Sequence, residues 1–214
     1  MPSVPSMDDA AFDRAVIAAV FEQAGLRGWQ DVSLVEAARD AGLELARVRA
    51  RFPGRAAVLL RFGVVADQAA LAASGAEENP RERLFDMLME RFEALQRHRP
   101  GVLALAQALR TDPGLALLLY GATLRSMRWL LEAAGVPTAG VIGQLRVHGL
   151  LALWLYALRA WQADESEDLS ATMAAVDRGL DRAMQAERSA PGRRPLPEPP
   201  TAEPEPPGAV ESPG

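Results

Sequence analysis

The chain contains no cysteine, which excludes disulfides, thiolate nucleophiles and the cysteine-based ligand sets of zinc fingers. It contains no lysine either, so every basic side chain is an arginine. There are 2 histidines, His98 and His148, in different helical contexts and without HExxH spacing. No nucleophile elbow, phosphate-cradling glycine loop or dinucleotide fingerprint occurs. These absences point away from an enzyme, and neither a catalytic residue, a metal nor a cofactor is expected. A formal net charge of −5 argues against a general polyanion binder, so any contact with nucleic acid must come from a local patch. The opening MPSVPSMDDAAFDR has no basic region followed by an uninterrupted apolar stretch, so it reads as no signal peptide, and the cytoplasm is the expected address. Alternating strand patterns of useful length are also missing.

What is present is helix after helix, in 214 residues of which 49% are hydrophobic, enough for one sizeable domain or two small ones sharing a core. Residues 33–55, SLVEAARDAGLELARVRARFPGR, hold two short amphipathic patterns broken at Ala41-Gly42 and closed by Phe52-Pro53. Ser33 followed by Glu36 is a capping-box arrangement, and Leu34, Ala37, Ala38 and Ala41 share one face. Gly42 suits a helix end, and the second helix runs from about Glu44 until Pro53. On it Leu45, Val48 and Phe52 form a buried stripe, while Arg47, Arg49 and Arg51 take other angles around the axis. This is a helix-turn-helix pattern, of the size that enters a DNA major groove.

Around it the chain resembles the N-terminal domain of the tetracycline-repressor (TetR) family. The resemblance spans AFDRAVIAAVFEQAG, the Gly28-Trp29 and Val32-Ser33 entry, AARDAGL, the RFPGR closure and the opening Ala57-Val58-Leu59 of a fourth helix. It implies an all-α fold, double-stranded operator DNA and a small apolar effector as partners, a homodimer, and a ligand-responsive repressor as the function. The DNA-binding residues it implies are Ser33, Glu44, Arg47, Arg49, Arg51 and Arg55. Several depart from the usual pattern: Glu44 opens the recognition helix, Leu45 stands beside it, and Arg49 and Arg55 replace an aromatic residue and a lysine. A carboxylate at the Glu44 edge favours the helix dipole but repels a nearby phosphate.

The remaining chain supplies the body. Asn79-Pro80 starts a helix to about Arg97, Arg99-Pro100-Gly101 breaks it, and Asp112-Pro113 opens another that ends before Gly135. The run VIGQLRVHGLLALWLYALRAW, 141–161, is interrupted by Gln144, Arg146, His148 and Arg159, so it reads as a core or interface helix rather than a membrane span. A last amphipathic helix spans about 166–187. Leu151, Leu155, Leu158, Met173, Val176 and Leu180 are the expected dimer interface, in a four-helix core. Met127, Trp129, Leu130, Trp154 and Tyr156 are the expected lining of an apolar pocket. The acidic run 164–168 suits a loop and first helical turn. His98 reads as a solvated helix end and His148 as a satisfied interior imidazole.

The expected organisation is a flexible N-terminus over 1–7, a helix-turn-helix domain over 8–55, a ligand-binding and dimerisation bundle over 56–188, and a disordered Pro/Glu-rich tail over 189–214. The C-terminal half carries a second resemblance, to the lipid-binding accessory proteins of ubiquinone biosynthesis, which are built on a TetR-like fold. The matching residues are Trp161, Asp164, Ser166, Asp168, Thr172 and Asp177-Arg178. That resemblance implies isoprenoid-lipid binding without operator DNA.

Overall fold

The computed structural model describes residues 7–73 and 79–189. Apart from Met7 and Ser189, the N-terminus and tail segments expected to be irregular lie outside the described residues. All regular structure among the described residues is helical, as the patterns require. Helix α1 (Asp9–Arg27) starts where the Asp8 carboxylate accepts from Ala11 N at 2.7 Å. Helix α2 (Leu34–Asp40) starts at Ser33, whose hydroxyl accepts from Glu36 N at 3.3 Å. The reciprocal half of the capping box is absent, because Glu36 instead pairs with Arg27 at 2.7 Å. The Ser33 amide is satisfied by Gln23 Oε1 at 2.6 Å, a tertiary partner that makes the box unnecessary.

Gly42 at φ 66° turns the chain into α3 (Leu45–Arg51), which stops ahead of Pro53. Helix α4 (Arg55–Ala73) then leaves the head. Asn79 and Asp112 cap α5 (Pro80–Gln96) and α7 (Pro113–Ala133) through side-chain oxygens, each with proline in the first turn. Between them lies α6 (Arg99–Ala108); α8 (Gly140–Ala163) and α9 (Ser170–Ser189) end the described chain. Helices α4 and α8 are both long and apolar enough to cross a membrane by length and composition. Each packs against several neighbours, α4 on α1, α5 and α7, and α8 on α7 and α9.

One continuous core runs through head and body. Its junction is the crossing of α1 and α6, where the backbones come together: a Cβ placed on Gly101 would lie 2.2 Å from the Phe21 carbonyl oxygen. His98, just ahead of α6, fills the same junction. It is half-buried, stacked on Phe21 at 5.5 Å and edge-on to Phe62 at 5.7 Å. Burial, with the nearby Arg97 charge, holds its imidazole below the usual value. His148 is the exposed one, its Nδ1 against the Gln144 carbonyl at 2.8 Å. The two histidines thus exchange the environments that their neighbours suggest. A charged flank, His-Arg-Pro, was no guide at His98, since the ring turns inward while Arg97 stays exposed.

Ion pairs and ring contacts tie the body's ends. Arg99 donates to the Trp161 and Gln162 carbonyls at 3.1 and 3.2 Å and covers the Trp161 ring at 4.7 Å. The Trp161 indole N–H donates to Gln96 Oε1 at 3.0 Å. Arg81 on α5 pairs with Asp177 and Asp181 on α9. Before α9, the Asp164 carboxylate accepts from the backbone and hydroxyl of Thr172, both at 2.8 Å, and from Ser166 N at 3.2 Å. Desolvation opposes its charge, but these hydrogen bonds from Ser166 and Thr172 outweigh it and hold the carboxyl at about 2.

Three substitutions test this packing. Gly101→Ala should destabilise the protein by roughly 1–3 kcal/mol, the scale of an overpacked core, in thermal or urea unfolding. Gly121→Ala, a helical site with nothing within 4 Å of the added carbon, should instead raise stability by up to about 1 kcal/mol. Because the folded-state carboxyl of Asp164 lies below its ordinary 3.8, its contribution is complete above about pH 4 and is lost as pH falls towards 2. Asp164→Asn should therefore flatten the acid limb of the stability profile in that window, as urea midpoints at successive pH values would record.

Candidate nucleic-acid interface and ligand cavity

The head presents α3 at its surface on a buried footing of Val48 and Phe52, each 3% exposed. Its arginines do not share one orientation. Arg51 turns onto α1, where its Nε and Nη2 donate to the two oxygens of buried Asp13 at 2.7 and 2.9 Å, and its Nη1 to Asp9 at 2.7 Å. Arg61 on α4 donates to Asp13 at 2.6 Å. Arg47 donates to Asp9 at 2.6 Å and to the Met7 carbonyl at 2.8 Å, with its guanidinium over the Phe12 ring at 4.1 Å. The hydrogen bond from Arg51, then that from Arg61, holds the Asp13 carboxyl below the ordinary range against the opposing effect of burial. Hydrogen bonding by Arg47, followed by the charge of Arg51, does the same for Asp9.

Arg47 and Arg51 therefore fasten α3 to α1. Arg55 is also engaged, donating to the Trp29 and Gln30 carbonyls at 3.1 and 2.6 Å. Arg49 is exposed, with a single long contact to the Pro53 carbonyl at 3.4 Å. Glu44 is the exposed residue ahead of α3 and makes no capping bond with its side chain, while Ser33 is engaged at the head of α2. Over residues 8–55 there are eight carboxylates and seven guanidinium groups, so the head has no basic excess.

In the body, a cavity of about 740 Å³ opens between α4, α5, α6, α7 and α8, within the size range of small-molecule sites. Trp129 and Trp154 line it, together with Leu151, Leu155 and Leu158, three residues that sequence pattern assigns to the dimer interface. Met127 and Leu130 lie in the core, both 0% exposed, and Tyr156 is an exposed residue 6.0 Å from the Arg182 guanidinium. Val176 and Leu180 are buried inside the protomer, as is Leu151, whereas Met173 is exposed. The cavity also holds polar residues that apolar periodicity does not reveal. Arg91 on α5, 6% exposed, forms an ion pair with Asp67 on α4, and Ser126 on α7 donates to Asp67 Oδ2 at 2.5 Å.

This arrangement has solved counterparts. A TetR transcriptional regulator from Nitrosomonas europaea ATCC 19718 superposes with a TM-score of 0.67 at 21% identity, covering 81% of this chain and 98% of its own. A TetR-family transcriptional regulator from Streptomyces coelicolor gives 0.58 at 18% identity and 85% coverage of both chains. A transcriptional regulator from Rhodococcus sp. Rha1 gives 0.57 at 23% identity, over 81% of this chain and 96% of its own. No family model and no curated protein matches the sequence. The chain has the fold of TetR transcriptional regulators, with a helix-turn-helix head and a helical body. What that fold does here rests on its own side chains.

Asp13→Asn should loosen α3 from α1. Two guanidinium groups would lose a charged acceptor, at a cost of roughly 1–3 kcal/mol because both keep contact with water. Thermal unfolding would measure the loss, and exchange of the α3 amides would show whether it is concentrated there.

Proposed function

We propose that the protein is a ligand-responsive, DNA-binding transcriptional regulator acting as a homodimer. The observation that carries this reading is the continuity between its two halves. An exposed helix-turn-helix is fastened through α1 to α6, and α6 supplies Val102, Leu105 and Ala106 to the wall of a ligand-sized cavity. A ligand that shifts α6 moves α1 with it, because the backbone contact at Gly101 leaves no slack. The ligand then favours one separation of the two heads over another, and affinity for paired half-sites changes by differential binding to the two states.

The dimer reading rests on the outer face of α8. Val141, Leu145, Leu155 and Tyr156 are exposed at 88, 71, 45 and 40%, and Gly149 and Ala152 between them are small enough for close helix approach. Met173 and Met184 extend the apolar surface onto α9. These residues replace the buried Leu151, Val176 and Leu180 as the proposed contact. Arg49 is the proposed groove or phosphate contact, with Arg47 and Arg51 setting the pose of α3 and Arg55 closing the turn behind it.

The balance of charge in the head favours a second reading, a lipid-binding accessory protein on the same fold without operator DNA. Eight carboxylates stand against seven arginines over 8–55, and two arginines of α3 are already paired with Asp9 and Asp13.

Selection of fragments bound from the parent genome distinguishes the two readings. Regulation predicts a palindromic site, retained by the wild-type dimer, and Arg49→Ala should weaken it roughly tenfold while lowering the slope of log K against log salt by about one. A featureless pool together with co-purified lipid in native mass spectrometry would replace regulation with the second reading.

A further inference from the structure

The cavity wall is not matched to a purely apolar ligand. Arg91 is more than nine-tenths buried, and its Nε has no hydrogen-bond acceptor among the described residues. A buried donor without an acceptor is costly, and native structures usually give such a group a partner. Its guanidinium has five N–H groups, and the charged partner described for it is Asp67. Asp67 is itself held by Ser126, so an incoming acceptor need not displace it. The guanidinium lies 4.8 Å from the Trp154 ring, which stacks on Phe92 at 4.5 Å and keeps the arginine in place.

A second cation lines the same cavity. This residue, Arg125, is exposed and adjoins Ser126 in sequence. The charged residues of the lining are Asp67, Arg91 and Arg125, a formal excess of one positive charge. Most other lining residues are leucine, alanine, valine and aromatic side chains. Desolvation by burial pushes the Arg91 guanidinium down to about 10, which still leaves it protonated at neutral pH.

We infer that the cavity takes a monoanionic amphiphile, an apolar body bearing a carboxylate, whose head accepts hydrogen bonds from Arg91 while Arg125 attracts it at the rim. This deepens the regulator reading, on which its role as an effector rests. The small apolar effector expected from sequence would leave the excess positive charge of the lining unbalanced, whereas a carboxylate balances it and accepts from the Arg91 guanidinium. Guanidinium groups suit that task, since they bind carboxylates in a planar fork and remain charged.

The test compares three probes of equal chain length, decanoate, decanol and decylamine, by isothermal titration and thermal shift on the full chain. Decanoate should bind about tenfold or more tightly than decanol, the scale of one charge-assisted hydrogen bond, with decylamine weaker still. Arg125→Gln, a surface change, should weaken decanoate while leaving decanol unchanged. Arg91→Lys keeps the charge opposite Asp67 but replaces the planar guanidinium fork with a single ammonium, and should narrow the gap between decanoate and decanol. Equal binding of decanoate and decanol by the wild type, or decanoate affinity indifferent to Arg125→Gln and a folded Arg91→Lys, would overturn the anion assignment. Either result would leave DNA retention, and with it the regulator reading, untouched. Carboxylate binding by a protein that retains no DNA would uphold the cavity assignment and remove the regulator.

Discussion

The close approach of α1 and α6 is the constraint from which the rest of the molecule takes its form. Phe21 and Gly101 meet backbone to backbone, a separation that leaves no space for even a methyl group at position 101. Two helices that touch in this way cannot slide past one another without breaking side-chain packing on both sides, because close-packed interiors transmit displacement rather than absorb it. His98 reinforces the joint by packing its ring against both Phe21 and Phe62, which are themselves 4.7 Å apart. Head and body therefore share a core instead of hanging from a linker, and the cavity wall on α6 is only one helix removed from the head.

The head shows how few charges need to be free for a surface to be presented. Asp13 is buried and accepts from two arginines on two different helices, so it anchors α3 and α4 to α1 at once. With Arg47 and Asp9 it forms a cluster of three guanidinium groups on two carboxylates, all paired across helices. It fixes the pose of α3 but removes Arg47 and Arg51 from the supply of cations that could neutralise phosphate, leaving Arg49 as the exposed guanidinium on that helix. A head of this kind offers little bulk attraction for a polyanion.

The body reverses that economy. Its cavity is apolar over most of the wall, yet it encloses an arginine with an unsatisfied donor, kept in place by Asp67 and Trp154. Isolated charges in such surroundings are expensive. The polar cluster of Asp67, Arg91 and Ser126 joins α4, α5 and α7, and α6 contributes Val102 and Leu105 to the same wall.

Local signals were legible in the sequence. Capping residues Ser33, Asn79 and Asp112, the Gly42 turn, Pro53 and the 3.6-residue periodicity specify helices and their ends through contacts between near neighbours, and each lies where those contacts require. The same information established the helix-turn-helix and the all-helical class. Only the tertiary structure decided which faces of those helices meet. Arg51 reaches Asp13 across 38 positions, and Arg91 reaches Asp67 from another helix. Leu151, Val176 and Leu180 turn into the protomer while Val141 and Leu145 face outward. His98 and His148 exchange their expected surroundings for the same reason. Periodicity tells which residues share a side of a helix, but what lies opposite that side is set by long-range packing, which no local pattern encodes.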